Sequence, residues 1–139
     1  MKVDSINNGF VIDHITAGRG MLLYELLGLG QLDCPVAIIM NVGSKKMGKK
    51  DIIKIDADIS LNLDAIGYVD PKATVNIIKK GELVEKKSIQ TPEVLTNVIT
   101  CKNPRCISTV EQELDQVFRL TDAENNVYRC IYCESKATH

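Results

Sequence analysis

The chain has no tryptophan, and only two phenylalanines and four tyrosines in 139 residues, so its core must be assembled from isoleucine, leucine and valine. Long apolar runs are missing. The run from Cys34 to Val42 falls well short of the roughly 18 residues a membrane-spanning helix needs. An excess of either charge is missing too: a formal net charge of -1 gives nucleic acid no general footprint, which leaves only local basic patches. Histidine is limited to two residues, one of which, His139, is expected to be a tail residue. No Ser-His-Asp or Cys-His arrangement emerges, and acid–base equipment is thin. Gly18-Arg19-Gly20 is too short to be a phosphate loop. Met1-Lys2-Val3-Asp4 lacks the apolar h-region of a signal peptide, so a cytoplasmic chain is expected. What is present is 45% hydrophobic and 25% charged, the composition of a soluble globular protein. The length suits one ordinary domain, or a small domain followed by a smaller metal-stapled one.

The five cysteines are unevenly placed. Cys34 stands alone beside Pro35, and is expected to be a buried structural thiol rather than a nucleophile. The other four form Cys101-x4-Cys106 and Cys130-x2-Cys133, two short-spaced pairs separated by a 23-residue insert. In a reducing compartment that spacing points to a zinc site rather than to disulfides. Each pair presents two thiolates from one tight loop, and two such loops complete a tetrahedron around the ion. Four cysteines leave no open coordination position, so the zinc is expected to be structural and not to activate water. Lys102, Arg105 and Arg129 are placed to offset the thiolate charge.

Ser88 to Glu93 is polar and interrupted by Pro92, which suits a linker and sets the expected domains at 1–91 and 92–139. Beyond it, Val98-Ile99-Thr100 reads as a short strand, and Val117–Thr121 and Val127–Ile131 alternate at period two around the turn-rich Asp122–Asn126. A β module this small rarely holds together without its metal.

Before the linker, strands are expected at Val11–Ile15, Val36–Met40, Asp51–Ile55, Ala73–Lys79 and Leu83–Lys87. The unbroken apolar run Val36–Met40 has the look of a central buried strand. A helix is expected over Met21–Leu27, with Leu22, Leu23, Leu26 and Leu27 on one stripe and Gly28 ending it. Ser60 is a candidate cap for a second helix carrying Leu61, Leu63, Ile66 and Val69, stopped by Pro71. The order predicts an α+β, ferredoxin-like βαββαβ-type sandwich, with both helices on one face of a mainly antiparallel sheet, followed by the small zinc-ribbon-like β domain.

Basic residues gather at Lys45, Lys46, Lys49, Lys50 and Lys54, and again at Lys79, Lys80, Lys86 and Lys87. Read blandly, they are solvated loop and edge lysines. Read more sharply, lysines on adjacent strands converge on a polyphosphate, with Asp13 and His14 adding a ribose acceptor and a further donor. A regular strand sets Asp13 and His14 on opposite faces, which opposes their serving one ligand.

Val11-Ile12-Asp13-His14-Ile15, the run from Met47 to Ile55, Pro71-Lys72-Ala73-Thr74-Val75-Asn76 and the cysteine framework together resemble the regulatory chain of aspartate carbamoyltransferase, in order and over nearly the whole chain. The resemblance implies a non-catalytic subunit of pyrimidine biosynthesis with a nucleotide-binding allosteric domain and a zinc domain. Its implied partners are the catalytic chain, a second regulatory chain and the effectors CTP or ATP, with neither nucleic acid nor membrane. Nucleotide contacts carried over by position fall on Asp13, His14, Lys50, Lys54, Asn76 and Lys86, with Val3, Ser5, Ile6, Val11, Ile78 and Leu83 around base and sugar. Zinc falls on Cys101, Cys106, Cys130 and Cys133, one ion per chain. Gly81 stands where that family often has a tyrosine beside the base. The Ser-Thr-Arg-Thr string of the catalytic partner has only Ser108-Thr109-Val110 as a counterpart, so no transferase activity is expected. Two rivals fit less well. A zinc-ribbon nucleic-acid binder is opposed by Glu111, Glu113, Asp115, Asp122 and Glu124, and the lysine clusters suit a polyphosphate better than the amino acid of an ACT-like sensor.

Overall fold

The computed structural model describes residues 6–111 and 113–137. The chain divides into two compact units, Met1–Gln90 and Thr91–His139.

The first unit runs β1 (Gly9–Thr16), α1 (Gly20–Leu26), β2 (Val36–Ser44), β3 (Gly48–Ile55), α2 (Leu63–Val69), β4 (Thr74–Lys79) and β5 (Glu82–Ser88). The sheet order is β2-β3-β1-β4-β5, with every neighbouring pair antiparallel. This is the expected βαββαβ sandwich, extended by one strand through the β4–β5 hairpin. Lys80 and Gly81 at its tip have φ of 53° and 77°, the two consecutive left-handed residues of a tight two-residue connection that suits the strand twist. Isoleucines build the core: Ile12, Ile15, Ile53, Ile55 and Ile66 are fully buried, joined by Leu23 and Val75.

Three local expectations are corrected. Val36–Met40 lies on the edge strand β2, not at the sheet centre, and Val36 to Ile39 are only half-buried. An apolar run has the same sequence whether a sheet or another chain covers its second side. The second helix is capped by Asn62 rather than Ser60. The Asn62 side chain accepts from the N–H groups of Asp64 at 3.1 Å and Ala65 at 3.2 Å, and Leu61 precedes the helix. Cys34 is half-buried and lies just ahead of β2. Gly28 ends α1 as expected, in the left-handed region at φ 65°.

Gly9 opens β1 under backbone. A Cβ there would stand 1.9 Å from the Ile55 carbonyl oxygen and 2.9 Å from the Ala57 nitrogen. Gly9→Ala is expected to cost about 2–3 kcal/mol of stability through forced backbone displacement. Urea unfolding checks this, and a loss below about 0.5 kcal/mol would show that the strand end yields freely.

The second unit comprises β6 (Val94–Thr96), α3 (Ile107–Val110), β7 (Val117–Asp122) and β8 (Val127–Cys130), with the sheet order β6-β7-β8. The strand expected at Val98–Thr100 does not form; Val94–Thr96 pairs with β7 instead. Leu95, Phe118 and Tyr128 are buried with Ile99 and three of the cysteines, a small core for a unit of this length. The Tyr128 hydroxyl donates to the Pro92 carbonyl, which ties β8 to the segment leading into β6.

Candidate functional site

The four C-terminal cysteines converge. Their Sγ atoms all lie within 4.8 Å of one another, with Cys101 to Cys133 at 3.6 Å and Cys106 to Cys130 at 3.7 Å. A disulfide needs about 2.05 Å. A tetrahedral Zn²⁺ with Zn–S of about 2.3 Å has S···S edges of about 3.8 Å, so the separations fit a shared ion. Cys101, Cys106, Cys130 and Cys133 would hold one structural Zn²⁺ per chain, with protein sulfur at all four positions.

The surrounding hydrogen bonds fix the loops that carry the sulfurs. Cys106 N–H donates to the Asn103 carbonyl at 3.1 Å and Glu134 N–H to the Cys130 carbonyl at 2.8 Å, closing a tight turn in each pair. Gln116 bridges the unit: its Oε1 accepts from Cys101 N–H at 2.8 Å, and its Nε2 donates to the Ser108 carbonyl at 2.8 Å. The buried Ser108 hydroxyl lies 3.0 Å from Cys106 Sγ, and Thr109 Oγ1 donates to the Asn103 carbonyl at 2.8 Å. Burial pushes the Cys101 thiol up to about 12, whereas hydrogen bonds from Ser135 bring Cys133 down to about 6 and the Ser108 hydroxyl lowers Cys106. A bound cation favours the thiolate at all four. The sequence reading missed Gln116 and Ser108. Nothing in the cysteine spacing points to Gln116, which bonds Cys101 from 15 residues away, whereas Ser108 follows Cys106 by two residues and its nearness was the available signal. Of the expected charge-balancing residues, Lys102 and Arg105 are solvent-exposed, and the Arg129 guanidinium donates to the Glu134 carbonyl at 3.1 Å.

The second constellation lies on the sheet face away from the helices. β1 pairs with β3 as Ile12↔Ile53 and then Ile15↔Asp51, so β1 carries one extra residue between these pairs. Ile12 and Ile15 are both fully buried, and His14 has φ 57°. This β-bulge turns both Asp13 and His14 away from the helix-covered face. It removes the objection that alternation had raised. Asp13 Oδ1 pairs with Lys50 Nζ at 3.0 Å and accepts His14 N–H at 2.6 Å, while His14 Nδ1 lies 3.0 Å from the Thr74 hydroxyl. Burial alone would raise the Asp13 carboxyl, but Lys50 and the His14 N–H outweigh it and hold it below the usual carboxylate range. A depressed carboxylate adds stability above its unfolded pKa of about 3.9, and that stability is lost as pH falls through the folded value.

One register row joins the remaining residues. Lys86 pairs with Asn76, Asn76 with Val11, and Val11 with Lys54. Directly opposed residues share a face, so these four side chains emerge together. Further along the same face Ile78 pairs with Leu83. The Asn7 carbonyl accepts Gly81 N–H at 2.8 Å, which sets the segment carrying Ile6 beside the hairpin turn. Val3 and Ser5 lie outside the described residues. The buried Asn76 Oδ1 has no hydrogen-bond partner among the described residues. Lys46, Lys49 and Lys72 do not join this set; with Thr16, Ala17 and Met47 they line a separate cleft of about 550 Å³.

Two family models match the chain in tandem: aspartate carbamoyltransferase regulatory chain, allosteric domain, over residues 1–90, and its metal binding domain over residues 93–139. The chain is 45% identical over 134 residues to the aspartate carbamoyltransferase regulatory chain of Clostridium botulinum, covering 96% of this chain and 92% of that protein. It is 44% identical over 137 residues to that of Bifidobacterium longum, with 99% of each covered. Against the Clostridium tetani protein it is 43% identical over 135 residues, covering 96% of this chain and 94% of the relative.

Proposed function

Since the chain belongs to the family of aspartate carbamoyltransferase regulatory chains, a non-catalytic subunit with an allosteric and a metal-binding domain, we propose that its sheet face binds a nucleotide effector of the CTP or ATP type and that the metal module passes the effect to catalytic trimers. The orphan acceptor on Asn76 carries this reading. A buried carbonyl oxygen without a donor costs about 1–3 kcal/mol, and a ligand amine or hydroxyl supplies the donor. Lys54 and Lys86 stand in the same row as Asn76 and supply cations for phosphate oxygens. The bulge adds His14 from the neighbouring strand position, and Asp13, steadied by Lys50, suits a ribose hydroxyl. Ile78 and Leu83 offer apolar surface to the base.

Three further parts complete the reading. Among the described residues, no strand pairs with the outer side of the half-buried edge Val36 to Ile39 of β2, which suits sheet continuation into a second regulatory chain. Ser108 and Thr109, the one approach to a carbamoyl-phosphate motif, are occupied with the cysteine centre. A nucleotide that binds two quaternary states unequally must shift their balance, typically by 1–3 kcal/mol, or about 5- to 150-fold.

Calorimetric titration of CTP and ATP into the zinc-loaded chain tests the nucleotide site. Lys54→Ala and Lys86→Ala should each weaken binding about tenfold or more, the value of one charge-assisted phosphate contact. Unchanged affinity in both variants would remove the nucleotide from this face. Assembly is tested separately, by the native mass of the zinc-loaded chain mixed with catalytic trimers from the same source.

A further inference from the structure

Hydrogen bonds fasten three segments together at the end of the first sheet where β3 stops and the β4–β5 turn stands. The ladder of the hairpin ends at the pair Lys79↔Glu82. In a two-residue turn the N–H groups of the central residues lie outside that ladder, so Lys80 and Gly81 have donors to place elsewhere. Both are taken by the chain leading into β1. Asn8 Oδ1 accepts Lys80 N–H at 3.1 Å, and the Asn7 carbonyl accepts Gly81 N–H at 2.8 Å. Asp56, just past β3, holds the same chain from its other side: its Oδ1 accepts Asn7 N–H at 3.2 Å and Asn8 N–H at 3.4 Å. Asp56 in turn donates its own N–H to the Pro35 carbonyl at 2.9 Å.

Asn7 and Asn8 are exposed, and an exposed hydrogen bond contributes little net stability, because water replaces it. The hairpin needs neither bond to form, since its ladder and its two left-handed residues already define the turn. What the bonds add is position and chemistry. They seat the segment carrying Ile6 against the turn, and with both donors spent the turn backbone has carbonyl oxygens left to offer. The turn is also open: among the described residues, no atom lies within 4 Å of where a Gly81 Cβ would stand.

We propose that Asn8 is a positioning residue of the effector site, which takes up the Lys80 N–H and so leaves the turn to meet a base with acceptors alone. This rests on the nucleotide reading above and adds a determinant of base choice. Cytosine and adenine each carry an exocyclic amine, whereas uracil presents a carbonyl in the place of the cytosine amine. A rim of acceptors pairs with the amine and leaves the carbonyl without a donor.

Calorimetric titration of the full zinc-loaded chain with CTP, UTP and inorganic tripolyphosphate tests this. The unaltered chain should prefer CTP to UTP. Asn8→Ala frees the Lys80 N–H and should cut that preference about fivefold to tenfold, the value of one hydrogen bond. Tripolyphosphate meets the lysines and not the turn, so its affinity should stay within about twofold of the unaltered value. Asn8→Asp keeps an oxygen for the Lys80 N–H and should restore the CTP-to-UTP ratio while its charge weakens both nucleotides. Thermal melts verify the fold; if Asn8→Ala unfolds, Asn8→Gln, which displaces the amide oxygen by one methylene, replaces it with the same expected loss of preference. An unchanged ratio in the altered chain would overturn the proposal. Equal weakening of CTP and tripolyphosphate would do so as well, since it would make Asn8 a structural residue only. The nucleotide reading would stand in both cases. No CTP binding by the unaltered chain would overturn that reading, and this proposal with it.

Discussion

Removing the metal is expected to unfold the C-terminal unit and leave the N-terminal sheet intact. The C-terminal core holds Leu95, Ile99, Phe118 and Tyr128 and little else besides the cysteines. Units of this size seldom gain enough from apolar burial to offset the ordering of their chain. Structural zinc contributes apparent binding free energies of about 10–16 kcal/mol at neutral pH in small zinc modules, far more than such a core supplies. Hydrogen exchange on the chelated chain should show fast exchange at Cys101, Cys106 and Cys130 N–H, while Ile12, Ile53 and Val75 stay protected. Cys106→Ala and Cys130→Ala should behave alike, because three sulfurs leave the ion a position open to water. Protection of the three cysteine amides in a chain shown to hold no metal would mean the module is self-sufficient.

Asp51→Ala is expected to be the most damaging single substitution in the N-terminal unit. Asp51 is fully buried, and its carboxylate accepts three backbone N–H groups: Gly18 at 3.1 Å, Gly20 at 3.0 Å and Asn41 at 3.0 Å. These donors come from the β1–α1 turn, the first residue of α1 and an irregular point of β2, where the pairing register shifts and Asn41 has φ 61°. One side chain therefore holds together segments that strand pairing leaves unsatisfied. Truncation strands three donors at about 1–3 kcal/mol each, so a loss of about 4 kcal/mol is expected, a large share of a typical domain's stability. The corresponding fall in Tm is about 20 °C for a unit of this size. Asp51→Asn keeps one accepting oxygen and should lose about half as much. Gly20 has to stay bare here, since a Cβ would come within 2.8 Å of Asp51 Oδ2. Thermal melts decide the matter, and a loss under about 1 kcal/mol for Asp51→Ala would show that water or another group takes over the three donors.

Much of this was legible in the residues. The metal centre was readable because four cysteines in two short-spaced pairs bring the needed ligand type at the needed interval, and few other chemistries use that pattern. The sandwich was readable from the alternation of strand-like and helix-like periods. Position within the sheet was not: Val36–Met40 looked central because an apolar run does not record what covers its second side. The cap moved from Ser60 to Asn62 because either side chain can accept an N–H, and tertiary packing chooses between them. Val98-Ile99-Thr100 has strand composition, yet Val94–Thr96 has the partner. Lys54, Asn76 and Lys86 could be named one by one, but that they stand in one row depends on pairing register, which single-strand patterns do not encode.

A β-strand keeps time in two beats, and the extra residue between Ile12 and Ile15 is a dropped half-beat. Before it and after it the strand buries isoleucine on schedule, so the core never registers the slip. The phase change is felt only at Asp13 and His14, which come to stand side by side where a strand in step would part them. Their alliance is thus written in the length of the chain rather than in the chemistry of any side chain. Both residue types could be kept and the alliance still lost if the strand returned to regular alternation, because it depends on how many residues separate Ile12 from Ile15.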